Sequence, residues 1–165
     1  MADLPVEKKF EILCQIARAQ HFAWHEAVAK TCPGANMAEV VNAMWEISGH
    51  ETARAYLKRL DKTKPLAAQV AGSIVWSSQC MGEDAKLELS SETGKDEAFV
   101  RHGDCPWFHW HKRLGLLSED RPGCDLWFEK TVQLINDKLG TKLQVETRES
   151  LPEGGSCCLR RIWVE

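Results

Sequence analysis

The chain has 165 residues and a formal charge of -3, with acidic and basic side chains mixed along its length. That length suits roughly one domain, read as residues 1–165 without a break, and a core that needs no covalent staples. The missing basic block argues against a nucleic-acid partner, and no apolar run approaches the ~18 residues needed to span a membrane. The opening segment MADLPVEKKFEIL carries acidic residues and no uninterrupted apolar stretch, unlike a signal peptide, so a cytoplasmic location is expected. Seven cysteines, odd in number and irregularly spaced, read as free thiols or metal ligands rather than a disulfide framework.

Phe10, Leu13, Cys14, Ala17, His21, Trp24 and Val28 recur at helical steps and predict a helix with these residues as its buried stripe, ending near Pro33-Gly34. Met37, Val40, Val41, Met44 and Trp45 predict a second helix. Ser48 and Glu51 have capping-box spacing, so Ala53, Tyr56, Leu57 and Leu60 lie on a third helix or a kinked continuation. Pro65 suits the first turn of another helix carrying Leu66, Val70 and Ile74. After Gly82 the period shortens: KLELS and AFVRH predict an antiparallel hairpin. Asp104 is placed to cap a short helix from Cys105 to about Leu114, and a longer helix runs from about Asp125 to Leu139 with Gly140 as its stop. KLQVETR and CCLRRIWV complete the strands. The expected fold is α+β, a helical half over about residues 1–82 packed on an antiparallel sheet of about four strands with two further helices.

The stretch HGDCPWFHWHKRLGLLSEDRPGC, from His102 to Cys124, concentrates thiols, imidazoles and indoles. With a helix from Cys105, His109 falls four residues on and shares its face, as a nucleophile and base would, or as two ligands of zinc or iron. The remaining metal ligands would be Cys124 and Cys157 or Cys158, although Cys-x18-Cys matches no standard zinc module. The plainer alternative is a structural pair. In HFAWHEAV, His21 and His25 are four apart beside Trp24, which suits a polar-lined ligand pocket or one buried, hydrogen-bonded histidine. Trp107 and Trp110 would line a site for a flat organic ligand or simply pack. Arg160 and Arg161 fall on opposite faces of the last strand, so one of them could point inward to an anionic group.

The segments DCPWFHWHKRLG, RPGC and PEGGSCCLRRIW resemble the L-2-amino-thiazoline-4-carboxylate hydrolase-like proteins and their relatives, the 4-vinyl reductase domains. FAWHEAV and AMWEISGHETARAYLKRL are similar to a bacterial family associated with them. The resemblance implies an α+β small-molecule-binding domain with Cys105, Cys124 and one of Cys157 and Cys158 near its pocket. It departs from the relatives in lacking a Cys-x-x-Cys pair before the last strand, since VETRESLPEGG contains no cysteine. The expectation is a hydrolase acting on a C–N or C–S bond of a small heterocyclic or amide-like compound. Cys105 and His109 would be its catalytic pair, and His21, Trp24, His25, Trp107 and Trp110 would bind substrate. The rival is a non-catalytic sensor or accessory module with cysteines holding a structural zinc. A small-molecule ligand is the expected partner, with no nucleic acid or membrane; a homo-oligomer is compatible with the sequence.

Overall fold

The computed structural model describes residues 4–92 and 94–165. Helices α1 (Val6–Thr31), α2 (Met37–Leu57) and α3 (Leu66–Cys80) are followed by the hairpin β1 (Ala85–Leu89) and β2 (Glu97–His102). Helices α4 (Pro106–Leu114) and α5 (Leu117–Leu139) then precede β3 (Leu143–Glu149) and β4 (Cys158–Val164), which are joined through a short 3-10 turn. The fold is α+β, as the sequence predicts, with an antiparallel sheet in the order β1-β2-β4-β3.

Strand alternation decides which side chains face the helices. On β2 the buried positions are Ala98, Val100 and His102; on β4 they are Cys158, Arg160 and Ile162. The register pairs Ala98 with Ile162, Val100 with Arg160 and His102 with Cys158, so the two rows lie side by side. The opposite face carries an ion-pair ladder in which Arg161 meets Glu97 and Glu146, and Arg101 meets Glu88. Helix α3 packs on β1, β2 and β4, α5 packs on β3, and α2 lies along α5. The core they enclose includes Ala53, Tyr56, Val70, Ile74, Val100, Phe128, Val132, Ile135 and Ile162. Asp96, in the hairpin connection, caps α3 from a distance by accepting hydrogen bonds from the Leu66 and Ala67 amides at 2.6 and 3.0 Å.

Of the two alternatives at Ser48 and Glu51, the continuation holds, since α2 runs unbroken to Leu57. Two other expectations need correction. Helix α5 begins at Leu117 rather than near Asp125 and carries Pro122 and Gly123 inside it. Pro122 sits in the second turn, where its missing N–H costs only one helical bond, and Gly123 serves as a seat for the Trp45 indole, which leaves no room there for a Cβ. On α1 the buried residues are Cys14, Arg18 and Phe22, whereas Leu13 and Trp24 are 63% and 73% exposed. The apolar pattern of α1 is therefore wider than the face its neighbours cover.

Gly49 brings α2 and α5 into close contact. A Cβ at Gly49 would stand 2.8 Å from the Trp127 carbonyl oxygen and 3.1 Å from the Lys130 Cβ. Gly→Ala in an open helix is worth about 1 kcal/mol of added stability. Here Gly49→Ala is expected to destabilise by about 1–3 kcal/mol in urea unfolding, because the two helices must separate. A gain in stability would show that the contact can relax.

Candidate functional site

The inward rows of β2 and β4 form the floor of a cavity of about 390 Å3. His102, Cys158 and Arg160 rise from that floor. Met44, Trp45, Ser48 and Thr52 of α2 and Asp120, Cys124, Trp127 and Phe128 of α5 make its long walls. The end of α3 adds Ser77, Ser78 and Met81, the cap of α4 adds Cys105, and His21, Glu83 and Trp107 close the remainder. The lining is mainly apolar with a few polar groups, the usual composition of a small-molecule site.

Among those polar groups are two carboxylates, each beside a histidine, and the Arg160 guanidinium, whose Nη2 lies 3.4 Å from Asp125 Oδ1. Glu83 accepts a hydrogen bond from Trp107 Nε1 at 2.8 Å and lies 3.2 Å from His102 Nε2, which is also 3.0 Å from Ser78 Oγ. Asp120, 4% exposed, has Oδ2 2.8 Å from His111 Nδ1. The two atoms stand at ion-pair distance, yet the His111 N–H is directed at the Trp107 carbonyl, 3.0 Å away, and Oδ2 accepts no hydrogen bond. Arg160 is 3% exposed, and its Nε also lacks a partner, as does Trp45 Nε1.

Burial sets the protonation states. His21 packs edge-on to Phe22 and Trp107 and against Trp45. Burial, with smaller contributions from His111 and His25, lowers its pKa to about 4, so His21 is neutral at ordinary pH. Burial likewise pushes the Cys105 thiol up to about 12 and the Cys124 thiol well above its usual range. Neither rests as a thiolate.

The structure divides the sequence-predicted residues. Cys105, Cys124, His21 and Trp107 reach the cavity. His109 does not join Cys105: it is exposed and lies 2.6 Å from Asp104. Cys105 is the extended N-cap of α4, with φ -123 and ψ 107, so the helical i,i+4 geometry assumed for the pair does not hold. Trp24 faces outward, His25 pairs with Glu119 at 3.1 Å, and Trp110 stacks on Phe22 with the Arg113 guanidinium carbon 3.7 Å from its ring centroid. None of these three lines the cavity. Cys157 precedes β4 and meets Arg101 Nη1 at 2.8 Å, while its neighbour Cys158 is the one turned inward. Of the two alternatives for the third thiol, Cys158 lines the cavity with Cys105 and Cys124, and Cys157 does not. Among the described residues no group of three or more His, Cys, Asp or Glu is placed to hold a metal ion such as zinc or iron. Glu83, His102, Asp120 and Trp45 were not anticipated as site residues; strand parity with Arg160 was the signal available for His102.

The depressed His21 pKa has a consequence for stability. At and above neutral pH the ring is uncharged in both folded and unfolded chains. As pH falls from its ordinary 6.5 toward about 4, the unfolded chain binds a proton that the folded chain refuses, and stability is lost. The variant His21→Gln is expected to lose less stability over that window than the wild type, measured by urea unfolding at several pH values. Parallel profiles would mean that His21 is not held neutral.

Among the described residues no helix is long and apolar enough to cross a membrane. The family model for L-2-amino-thiazoline-4-carboxylic acid hydrolase matches residues 13–162. In fold the chain is similar to the phenol-responsive sensory domain of the transcription activator PoxR, crystallised with phenol. That match has 9% identity and a TM-score of 0.55, and covers 86% of this chain and 71% of that one. A lesser likeness, at 13% identity and TM-score 0.49 with 96% of each chain covered, is to a trafficking protein particle complex subunit 3 from Naegleria fowleri covalently bound to palmitic acid. No curated protein sequence matches the chain. The match over residues 13–162 places this chain in the L-2-amino-thiazoline-4-carboxylic acid hydrolase family.

Proposed function

We propose that the protein is a hydrolase that opens a small thiazoline-type heterocycle at a C–S or C–N bond inside this cavity. The observation that carries the reading is the position of Cys105, buried on the wall of a cavity that Glu83, Asp120 and Cys158 also line, in a chain belonging to a family named for such a hydrolysis. In this reading Cys105 Sγ attacks the ring carbon between sulfur and nitrogen. Because the thiol is held protonated, its proton passes to a facing carboxylate, Asp120 or Glu83, as the new C–S bond forms. The ring bond to sulfur or nitrogen then breaks, and the departing atom takes up that proton. Water hydrolyses the enzyme-bound adduct and returns the thiol. The role of base passes from His109 to these carboxylates, and His21 and Trp107 act as walls that orient the ring.

A second reading, a non-catalytic binding module, is favoured by the same thiol, which is neutral at rest, and by the predominantly apolar lining. The PoxR domain of similar fold binds phenol in its crystal.

Turnover separates the two. Purified protein incubated with L-2-amino-thiazoline-4-carboxylate is expected to yield a product heavier by one water, and Cys105→Ala is expected to lower kcat/KM by at least ~100-fold. Full activity in Cys105→Ala with loss in Asp120→Asn would transfer the attack to water and remove the thiol from the chemistry. Binding with no product from the wild type would favour the sensor.

A further inference from the structure

A helix in a folded protein draws most of its stability from the apolar face that its neighbours cover. Helix α1, 26 residues long, is fastened to the rest of the chain through its buried residues Cys14, Arg18 and Phe22. Arg18 Nη1 donates to the Met81 carbonyl at 2.6 Å, and Phe22 stacks on Trp110. A second side of the same helix is also apolar and is left in water. Val6, Phe10, Leu13, Ala17, Gln20 and Trp24 follow one another at alternating steps of four and three residues, the spacing that draws one continuous seam along a helix. On that seam Val6, Leu13 and Trp24 are 63–73% exposed, and Phe10 and the flanking Ile16 are 41% and 48% exposed. These five side chains leave roughly 600 Å2 of apolar surface in water, the upper end for the largest patch of a monomer. With its polar flanks the seam approaches the ~800 Å2 that each partner of a stable complex buries.

We infer that this seam is the interface of a homodimer, in which α1 of one copy lies antiparallel on α1 of a second copy about a two-fold axis level with Gln15. Antiparallel pairing sets Val6 opposite Trp24, Phe10 opposite Gln20 and Leu13 opposite Ala17, each pair equidistant from that level. A larger side chain then meets a smaller one in every layer, as close packing requires. Parallel pairing would stack Trp24 on Trp24 and set Ala17 against Ala17, a bulge beside a void. The seam is therefore complementary to itself, and a closed two-fold pair hides both copies of it at once. Glu7, Glu11 and Glu26 on α1 offset Lys8, Lys9 and Lys30, so the helix lacks the basic excess that suits an anionic membrane surface. Helix α1 also brings His21 to the cavity, so the pairing steadies one of the cavity walls. The interface itself does not depend on which chemistry the cavity performs.

Analytical ultracentrifugation of the full chain tests this. Wild-type protein at ~10 µM is expected to sediment at twice the 18.7 kDa of one chain. Leu13→Glu is expected to sediment as a single chain with an unchanged near-UV circular dichroism spectrum, because Leu13 is exposed in the lone protomer. Leu89→Glu, at an equally exposed position on β1, is expected to remain dimeric. A charge pair reads the direction of the helices. Phe10→Lys is expected to weaken association ~10- to 100-fold, and adding Gln20→Glu to restore most of it, since the new ammonium and carboxylate meet across the two-fold axis. In a parallel pair the same double variant would bring like charges together and associate less than Phe10→Lys alone. A wild-type chain that is monomeric at ~100 µM, or a dimer that persists in Leu13→Glu, would overturn the inference. Flotation of such a monomer with phosphatidylglycerol vesicles would give the seam to a membrane surface instead. Loss of association in the double variant beyond that of Phe10→Lys would overturn the antiparallel arrangement. Should Leu13→Glu lose its near-UV signal, Trp24→Ser, at a more exposed position of the seam, is read in its place.

Discussion

A guanidinium and a carboxylate buried in one mostly apolar cavity, neither neutralising the other, is the arrangement to which the rest of the molecule is fitted. Arg160 stands on β4 at a position where alternation allows only the core side, between its register partners Val100 on β2 and Thr147 on β3. Asp120 stands in the first turns of α5, where the helix macrodipole favours negative charge, backed by His111 from α4. Their desolvation is met in part by Asp125 and His111 and otherwise left open.

The cavity walls depend on two glycines. Gly49 lets α2 approach α5 through the Trp127 carbonyl, and Gly123 receives the Trp45 ring in the same pair of helices. Side chains at either point would push the helices apart and widen the space that Trp45 and Trp127 narrow. From the other side, the histidine and indoles of α1, α2 and α4 form a shell in which His21 stays neutral, so the cavity end near it is mainly aromatic, with the Glu83 carboxylate held on the Trp107 indole. Helix α1 thus acts through His21 and Phe22, while most of its length contributes little to the core.

The fold was legible because its signals are periodic. The change from helical steps to alternation after Gly82, the glycine stop at Gly140 and the two hairpins each correspond to a real element. Where the reading failed, a local rule met a tertiary contact. The expected start near Asp125 left Pro122-Gly123 outside the helix, yet both are helical, with Gly123 seating the Trp45 ring. The wide apolar stripe of α1 reads as buried, although no pattern within one helix specifies how much of it a neighbour covers. The site was partly legible: Cys105, Cys124, His21 and Trp107 are soft or aromatic residues that stand out, whereas Glu83 and Asp120 look like ordinary surface acids until the fold buries them. His109 was favoured by spacing counted through a residue that is a cap and not part of the helix. Parity on β4 separates Cys158 and Arg160 from Cys157 and Arg161, and combining it with β2 would have added His102.

The central claim, that the space between the sheet and helices α2 and α5 is where a small molecule is held, is tested most directly by alkylation of the seven cysteines followed by peptide mass spectrometry, with and without L-2-amino-thiazoline-4-carboxylate. Cys32 and Cys80 are exposed and serve as internal controls, while Cys105, Cys124 and Cys158 line the cavity. The account predicts that ligand slows labelling of the three cavity thiols and leaves Cys32 and Cys80 unchanged. Saturating ligand with no selective protection of those three would contradict it.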